Sequence, residues 1–177
     1  FKSNHNLNVG TLILTARTAP FPNFNLPLTQ KTRENLRFKS PIKPWRKVYI
    51  SRKLAAKRKA HNETEVELIL KKQGFEIIYT EQLNLSQQIQ IMGESKYLVC
   101  LHGAALTNML FLPTSAKVLE LRNQGDAFTQ CYFNLAAALE IPYYYTLNKG
   151  DSSDTVTTDF TIDLEALKVA LSRLEED

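Results

Sequence analysis

The sequence predicts an α/β domain in which βαβ units wrap a mainly parallel sheet. Three observations lead there. From residue 48 onward, short β-branched or aromatic runs alternate with longer runs of helical period, the alternation that crossover units produce. Tyr97 to Leu101 is apolar at successive positions, as a strand covered on both faces must be. The length of 177 residues suffices for one domain with a sizeable hydrophobic core.

The elements follow in order. Val48-Tyr49-Ile50 opens the series as a strand. Asn62 followed by Glu65 has the chemistry of a capped helix start, Val66, Ile69 and Leu70 supply an apolar stripe, and Gly74 suits the position just past the end, so a helix is expected over 62–73. Phe75 to Tyr79 reads as a strand, Ser86 as the cap of a short helix carrying Ile89 and Met92, and Tyr97 to Leu101 as a buried strand that ends at His102-Gly103. Ala104 to Leu112 reads as a helix stopped by Pro113, and Lys117 to Leu121 as the next strand. Phe128, Cys131, Tyr132, Leu135, Ala136 and Leu139 form one apolar helical face behind an Asp126 cap. Tyr143 to Leu147 is the last expected strand, followed by a polar loop densest over Asp151 to Thr158. Asp163 caps a closing helix whose Leu164, Leu167, Leu171 and Leu174 face one way. Residues 48–177 thus form one unit. Residues 1–47 are read as a separate segment, with Val9 to Leu14 as a strand, Leu28 to Phe38 as a helix, and an aromatic and proline loop, Ala19 to Pro27, that has no clear period.

Composition narrows the function. A hydrophobic share of 44% with 23% charged residues is ordinary for a globular chain, and no stretch approaches the roughly 18 apolar residues of a membrane helix. Two cysteines, Cys100 and Cys131, do not make a disulfide scaffold. The first residue is Phe1, with no charged n-region or cleavage site behind it, so the chain reads as cut from something longer. The net charge of +4 conceals an asymmetry: residues 1–61 carry 14 Lys or Arg against the single acid Glu34, a net +13, while residues 62–177 carry 8 against 17, a net −9. Such a front attracts nucleic acid, anionic lipid or the phosphates of a small ligand.

Three groups of residues can carry chemistry. Ser51-Arg52-Lys53 and Lys57-Arg58-Lys59 lie between a strand's carboxyl end and a helix start, the edge at which open α/β sheets bind ligands. Two guanidinium groups there clamp a diphosphate well; the alternative is a solvated basic loop. His102-Gly103-Ala104-Ala105-Leu106-Thr107-Asn108 leaves a strand through very small residues, which lets a ligand approach the backbone and the free N–H groups of a first helical turn. His102 there either donates to a phosphate or sugar oxygen or is a buried histidine bonded to a carbonyl. Glu120 ends the Val118-Leu119-Glu120-Leu121 run at the same edge, where it either accepts ribose hydroxyls or pairs with Arg122. Glu63, Glu65 and Glu67 read as helix N-terminal charges favoured by the dipole. No G-x-G-x-x-G, Walker A or G-x-S-x-G sequence occurs, and His5, His61 and His102 have no metal-ligand spacing. The sequons at Asn62 and Asn84 coincide with helix starts and are read as chance.

Taken together, Tyr49-Ile50-Ser51-Arg52, Arg58, Asn62-Glu63 with Glu65, Gly74-Phe75, His102 to Asn108 and Val118-Leu119-Glu120-Leu121 resemble glycosyltransferase family 61 in order and spacing. The resemblance implies a Rossmann-like three-layer α/β/α domain, the carboxyl-terminal, nucleotide-sugar-binding half of a GT-B transferase that inverts configuration without metal or other cofactor. Carried over, Arg52 and Arg58 are the diphosphate clamp, and His102 with Gly103, Ala104, Ala105 and Leu106 cradles phosphate and sugar. Asn108 supports that turn, and Glu120 holds the ribose or the turn beside it. The family's Glu-Gln pair before the buried strand appears here as Gln87-Gln88. The resemblance further implies a nucleotide-sugar donor, UDP-linked above all, a glycan or polysaccharide acceptor, and a further N-terminal domain that holds the acceptor and the base. Residues 1–47 would link to that domain, and the fragment would be inactive alone. Bacterial members work in the cytoplasm and eukaryotic ones face the secretory lumen. Two competing classes are a nucleotide-binding module without chemistry and a nucleic-acid binder using Phe38, Trp45 and Tyr49 among its basic residues.

Overall fold

The computed structural model describes residues 10, 11, 13, 16–36, 43–126, 130–152, 154, 155 and 157–176. Most of the Val9 to Leu14 strand, the Phe38 end of the first helix, and Phe128 lie outside the described residues. The strands are β1 (Arg46–Ile50), β2 (Glu76–Ile78), β3 (Ser95–Leu101), β4 (Lys117–Asn123), β5 (Tyr143–Gly150) and β6 (Phe160–Thr161). The α-helices are α1 (Leu26–Leu36), α2 (Glu63–Lys72), α3 (Leu85–Gly93), α4 (Cys131–Ala138) and α5 (Leu164–Glu175). The sheet runs in the order β2-β1-β3-β4-β5-β6, parallel throughout except for the β5–β6 pair.

Alternation along the strands divides the core into two layers. Tyr49, Tyr97, Val99, Leu101, Leu119 and Leu121 face α2 and α5, packing on Val66, Leu70, Leu167, Leu171 and Leu174. Val48, Ile50, Leu98, Cys100 and Val118 point the other way, onto Met92 of α3, Leu135 and Ala136 of α4, and the 3₁₀ segment after β3. The result is the three-layer α/β/α arrangement expected, Rossmann-like in its crossovers. Helix α1 adds to the second face. Its Arg33 is buried and donates to the carbonyls of Leu112 (2.6 and 3.1 Å) and Leu139 (2.7 Å), which satisfies the exposed ends of two helical segments.

Several local expectations give way to longer-range contacts. Asn62 makes no cap hydrogen bond; its amide instead bridges both polar groups of Ile162, donating to the carbonyl at 2.8 Å and accepting the N–H at 3.0 Å. Helix α3 is capped by Asn84 and not by Ser86, in a reciprocal capping box with Gln87. The expected helix over Ala104 to Leu112 is a 3₁₀ helix over Ala104–Phe111. Leu106 and Met109, three residues apart, are both fully buried, a spacing that a helix of three residues per turn keeps in line. Asp126 does not cap α4, whose N-cap position holds Gln130. The short β6 was not expected from a loop so polar. Gly74 (φ 81°) and the Asp163 cap, which accepts from Glu165 and Ala166 N–H, are found as expected.

Candidate functional site

Register sets the site. Ile50 pairs with Cys100 and Cys100 with Glu120, so β1, β3 and β4 deliver Ser51-Arg52, His102-Gly103 and Arg122 to one carboxyl edge. The chain leaves β1 to form β2 on one side and returns across it to form β3 on the other. The gap between β1 and β3 is therefore the topological switch point, the crevice where open α/β sheets bind ligands.

Arg52 and Arg58 converge there. Arg52 folds back on its own loop, donating through Nε to the Arg58 carbonyl (3.0 Å) and through Nη2 to that of Lys57 (2.9 Å). Arg58 takes the left-handed conformation at φ 56°, a strained choice for a residue with a Cβ. Its Nε is buried and has no hydrogen-bond partner among the described residues. Both guanidinium groups lie against Gly103: a Cβ built there would meet Arg52 Nη1 at 2.9 Å and Arg58 Nη2 at 3.7 Å. Gly103 has φ 153° and ψ −178°, a region that only glycine occupies readily. Burial, and after it the charge of Arg58, pull the Arg52 guanidinium below its ordinary value. Neither arginine has a carboxylate within salt-bridge distance among the described residues. Two half-buried cations on a glycine floor, one with an unmade donor, have the chemistry to take an anion.

His102 is held from both ends. Its Nδ1 faces Glu120 Oε1, and its Nε2 lies 3.1 Å from Asp126 Oδ2. Arg122 braces the two carboxylates, with Nη1 3.5 Å from Glu120 and Nη2 3.7 Å from Asp126, and it also donates to the Asp126 carbonyl at 2.6 Å. The Tyr132 ring meets His102 edge-on at 5.1 Å between centroids. Burial first, then the neighbouring Cys131, raise the Tyr132 phenol to about 12, and burial followed by the Glu120 charge raises Tyr143 far above the usual phenol range.

The residues singled out from the sequence thus meet at one edge, in different roles. Asn108 is buried and donates to the Ala105 carbonyl at 3.0 Å, bracing the turn. Ala104 is exposed at the rim, Ala105 is half-buried, and Leu106 is fully buried in the core. Glu120 is fully buried, so its carboxylate reaches the edge only through His102. The sequence reading misses the part played here by Asp126, which it reads as a cap, and by Glu63 and Glu67, which it reads as helix N-terminal charges. Both glutamates are 5% exposed, and Glu63 Oε1 accepts from Tyr49 OH, Ser51 Oγ and Arg52 N–H at 2.8, 2.8 and 3.1 Å. Their spacing of four on a helix, facing a serine at a strand end, was the available signal. Cys100 and Cys131 are both free. No cluster of three or more metal-ligating side chains occurs among the described residues, and no described helix is long and apolar enough to cross a membrane.

Fold and edge together define a Rossmann-like α/β domain with two arginines gathered at its switch point. The chain belongs to glycosyltransferase family 61: residues 6–119 match the family described as Glycosyltransferase 61, a stretch that includes Arg52, Arg58 and the whole His102 to Asn108 turn. The chain is similar to the EGF domain-specific O-linked N-acetylglucosamine transferase of Xenopus laevis, 44% identical over 69 residues, which is 39% of this chain and 13% of that protein. It is similar to the protein of the same description in Drosophila melanogaster, 33% identical over 109 residues, 60% of this chain and 20% of that protein. The matched stretch therefore spans a small part of these relatives' length.

Proposed function

We propose that this chain is the donor-binding part of an inverting, metal-independent glycosyltransferase that moves a sugar from a nucleotide diphosphate to an acceptor hydroxyl. The observation that carries this reading is the pair of arginines packed on Gly103 without a carboxylate partner among the described residues. In this reading Arg52 and Arg58 hold the diphosphate and stabilise the negative charge it gains as the glycosidic bond to the sugar breaks. His102, held through both ring nitrogens by Glu120 and Asp126, anchors the turn at Gly103, and Gly103 to Leu106 let the phosphates approach the backbone. The relatives' descriptions favour N-acetylglucosamine as the sugar and a protein hydroxyl as the acceptor; the carrier in this reading is UDP. The base that deprotonates the acceptor is assigned to another domain of the full protein.

Binding of UDP, GDP and CMP, followed by ligand-detected NMR or calorimetry, tests this reading. Saturable binding of a nucleotide diphosphate by the wild type is expected, weakened roughly 10- to 150-fold in Arg58→Ala, the equivalent of the roughly 1.5–3 kcal/mol of a charged hydrogen bond. A wild type that binds none of the three, or an Arg58→Ala chain that binds as tightly as wild type, would refute it.

A further inference from the structure

We propose that Glu63 is a positioning residue that sets the Arg52 loop for diphosphate binding, an inference that rests on the donor-binding reading above. One oxygen, Oε1, collects three donors from the end of β1: Tyr49 OH at 2.8 Å, Ser51 Oγ at 2.8 Å and the Arg52 backbone N–H at 3.1 Å. The last of these is decisive, because it fixes the backbone from which the Arg52 guanidinium turns back to the Lys57 and Arg58 carbonyls and onto Gly103. Glu67, one helical turn further on, continues the network: its Oε1 lies 3.0 Å from Ser51 Oγ and 3.1 Å from Tyr79 OH. Lys53 Nζ stands 3.9 Å from Glu67 Oε2.

The arrangement is costly for mere packing. A carboxylate this buried loses its hydration, and an apolar side chain of similar volume would fill the space more cheaply. The other oxygen, Glu63 Oε2, is buried with no hydrogen-bond partner among the described residues. The N-terminal position on α2 offsets part of the cost through the helix dipole. Burial, and next the Glu63 charge, push the Tyr49 phenol well above its ordinary value, so it stays a donor. What the carboxylate gains in return is a fixed loop: three donors on one oxygen hold Ser51 and Arg52 against the helix that follows them.

The experiment compares full chains carrying Glu63→Ala, Glu63→Gln and Glu63→Asp with the wild type, reading thermal midpoint and affinity for UDP and for UMP. A positioning role predicts that Glu63→Ala selectively weakens UDP, by about tenfold or more, as a displaced binding group does. UMP then falls by much less, and the UDP-to-UMP preference collapses. Glu63→Gln, which keeps an acceptor oxygen in place, restores most of the preference. Should Glu63→Ala fail to fold, Glu63→Asp answers the same question, since it keeps the charge and withdraws the oxygen by one methylene. A Glu63→Ala or Glu63→Asp chain that folds and keeps the wild-type preference overturns the inference while leaving the donor reading intact, as does equal loss of UDP and UMP. A wild type that does not bind UDP overturns both.

Discussion

Replacing Gly103 with alanine separates a strained backbone from a displaced ligand group. The new methyl would stand 2.9 Å from Arg52 Nη1, well inside van der Waals contact, and 3.6 Å from Arg52 Cζ. The guanidinium cannot swing away freely, because it is tied to the Lys57 and Arg58 carbonyls. Alanine at φ 153° and ψ −178° adds backbone strain of about 1–3 kcal/mol, which for a domain of this size lowers the thermal midpoint by roughly 2–12 °C. Displacing Arg52 by several tenths of an ångström should in addition weaken UDP by about tenfold. Gly74→Ala supplies the control. Gly74 has φ 81° and nothing within 4 Å of its Cβ position, so it should lose stability and leave affinity unchanged. Calorimetric unfolding and UDP titration on both variants decide the matter. If Gly103→Ala binds UDP as tightly as Gly74→Ala does, Arg52 on its glycine floor is not part of the binding surface.

Other expectations follow from particular contacts. Arg58→Gly relieves the left-handed strain at φ 56° and should be more stable than Arg58→Ala by about 1–2 kcal/mol, while neither variant binds UDP as the wild type does; denaturant unfolding measures the difference. Glu120→Ala leaves His102 and Arg122 without their buried carboxylate and should cost about 3–5 kcal/mol in the same assay. Cys100 is fully buried and its thiol is pushed far up, by burial first and then by Glu120, so a thiol reagent at pH 8 should modify it only after denaturant is added. Tyr49 and Tyr143 both have phenols raised above their unfolded value of about 10. The unfolded chain therefore releases these protons first, so their contribution is intact below about pH 10 and falls above it, by about 1.4 kcal/mol per pH unit for each group. Unfolding free energies measured between pH 9 and 11 should decline accordingly, and Tyr49→Phe should flatten the decline.

Most elements could be read from the residues because their causes are local. The stripe of Leu167, Leu171 and Leu174 on α5 and the Asp163 cap need only each other, and the unbroken apolar run of β3 reports two covered faces. The misreadings share a cause as well. Asn62 and Asp126 are residue types that cap helices, and each stands where a cap would fit. Each was claimed instead by a distant partner, Asn62 by Ile162 and Asp126 by His102. A short polar side chain serves a cap and a long-range bond equally well, so spacing cannot choose between them. Glu63 illustrates the same limit, since its burial depends on Tyr49 and Ser51 lying beneath it.

The candidate site divides along the same line. That Arg52, Arg58, His102 and Glu120 belong near one edge follows from the chain alone, because parallel βαβ units bring every strand's carboxyl end to the same side. That Arg52 and Arg58 rest on Gly103 follows only from β3 lying beside β1, with β2 sent to the outer edge. Strand order is a matter of which hydrophobic faces pack together, and the contacts that seat two arginines on one glycine are settled within a few tenths of an ångström. Neither is encoded in a local pattern, and both appear once the layers close.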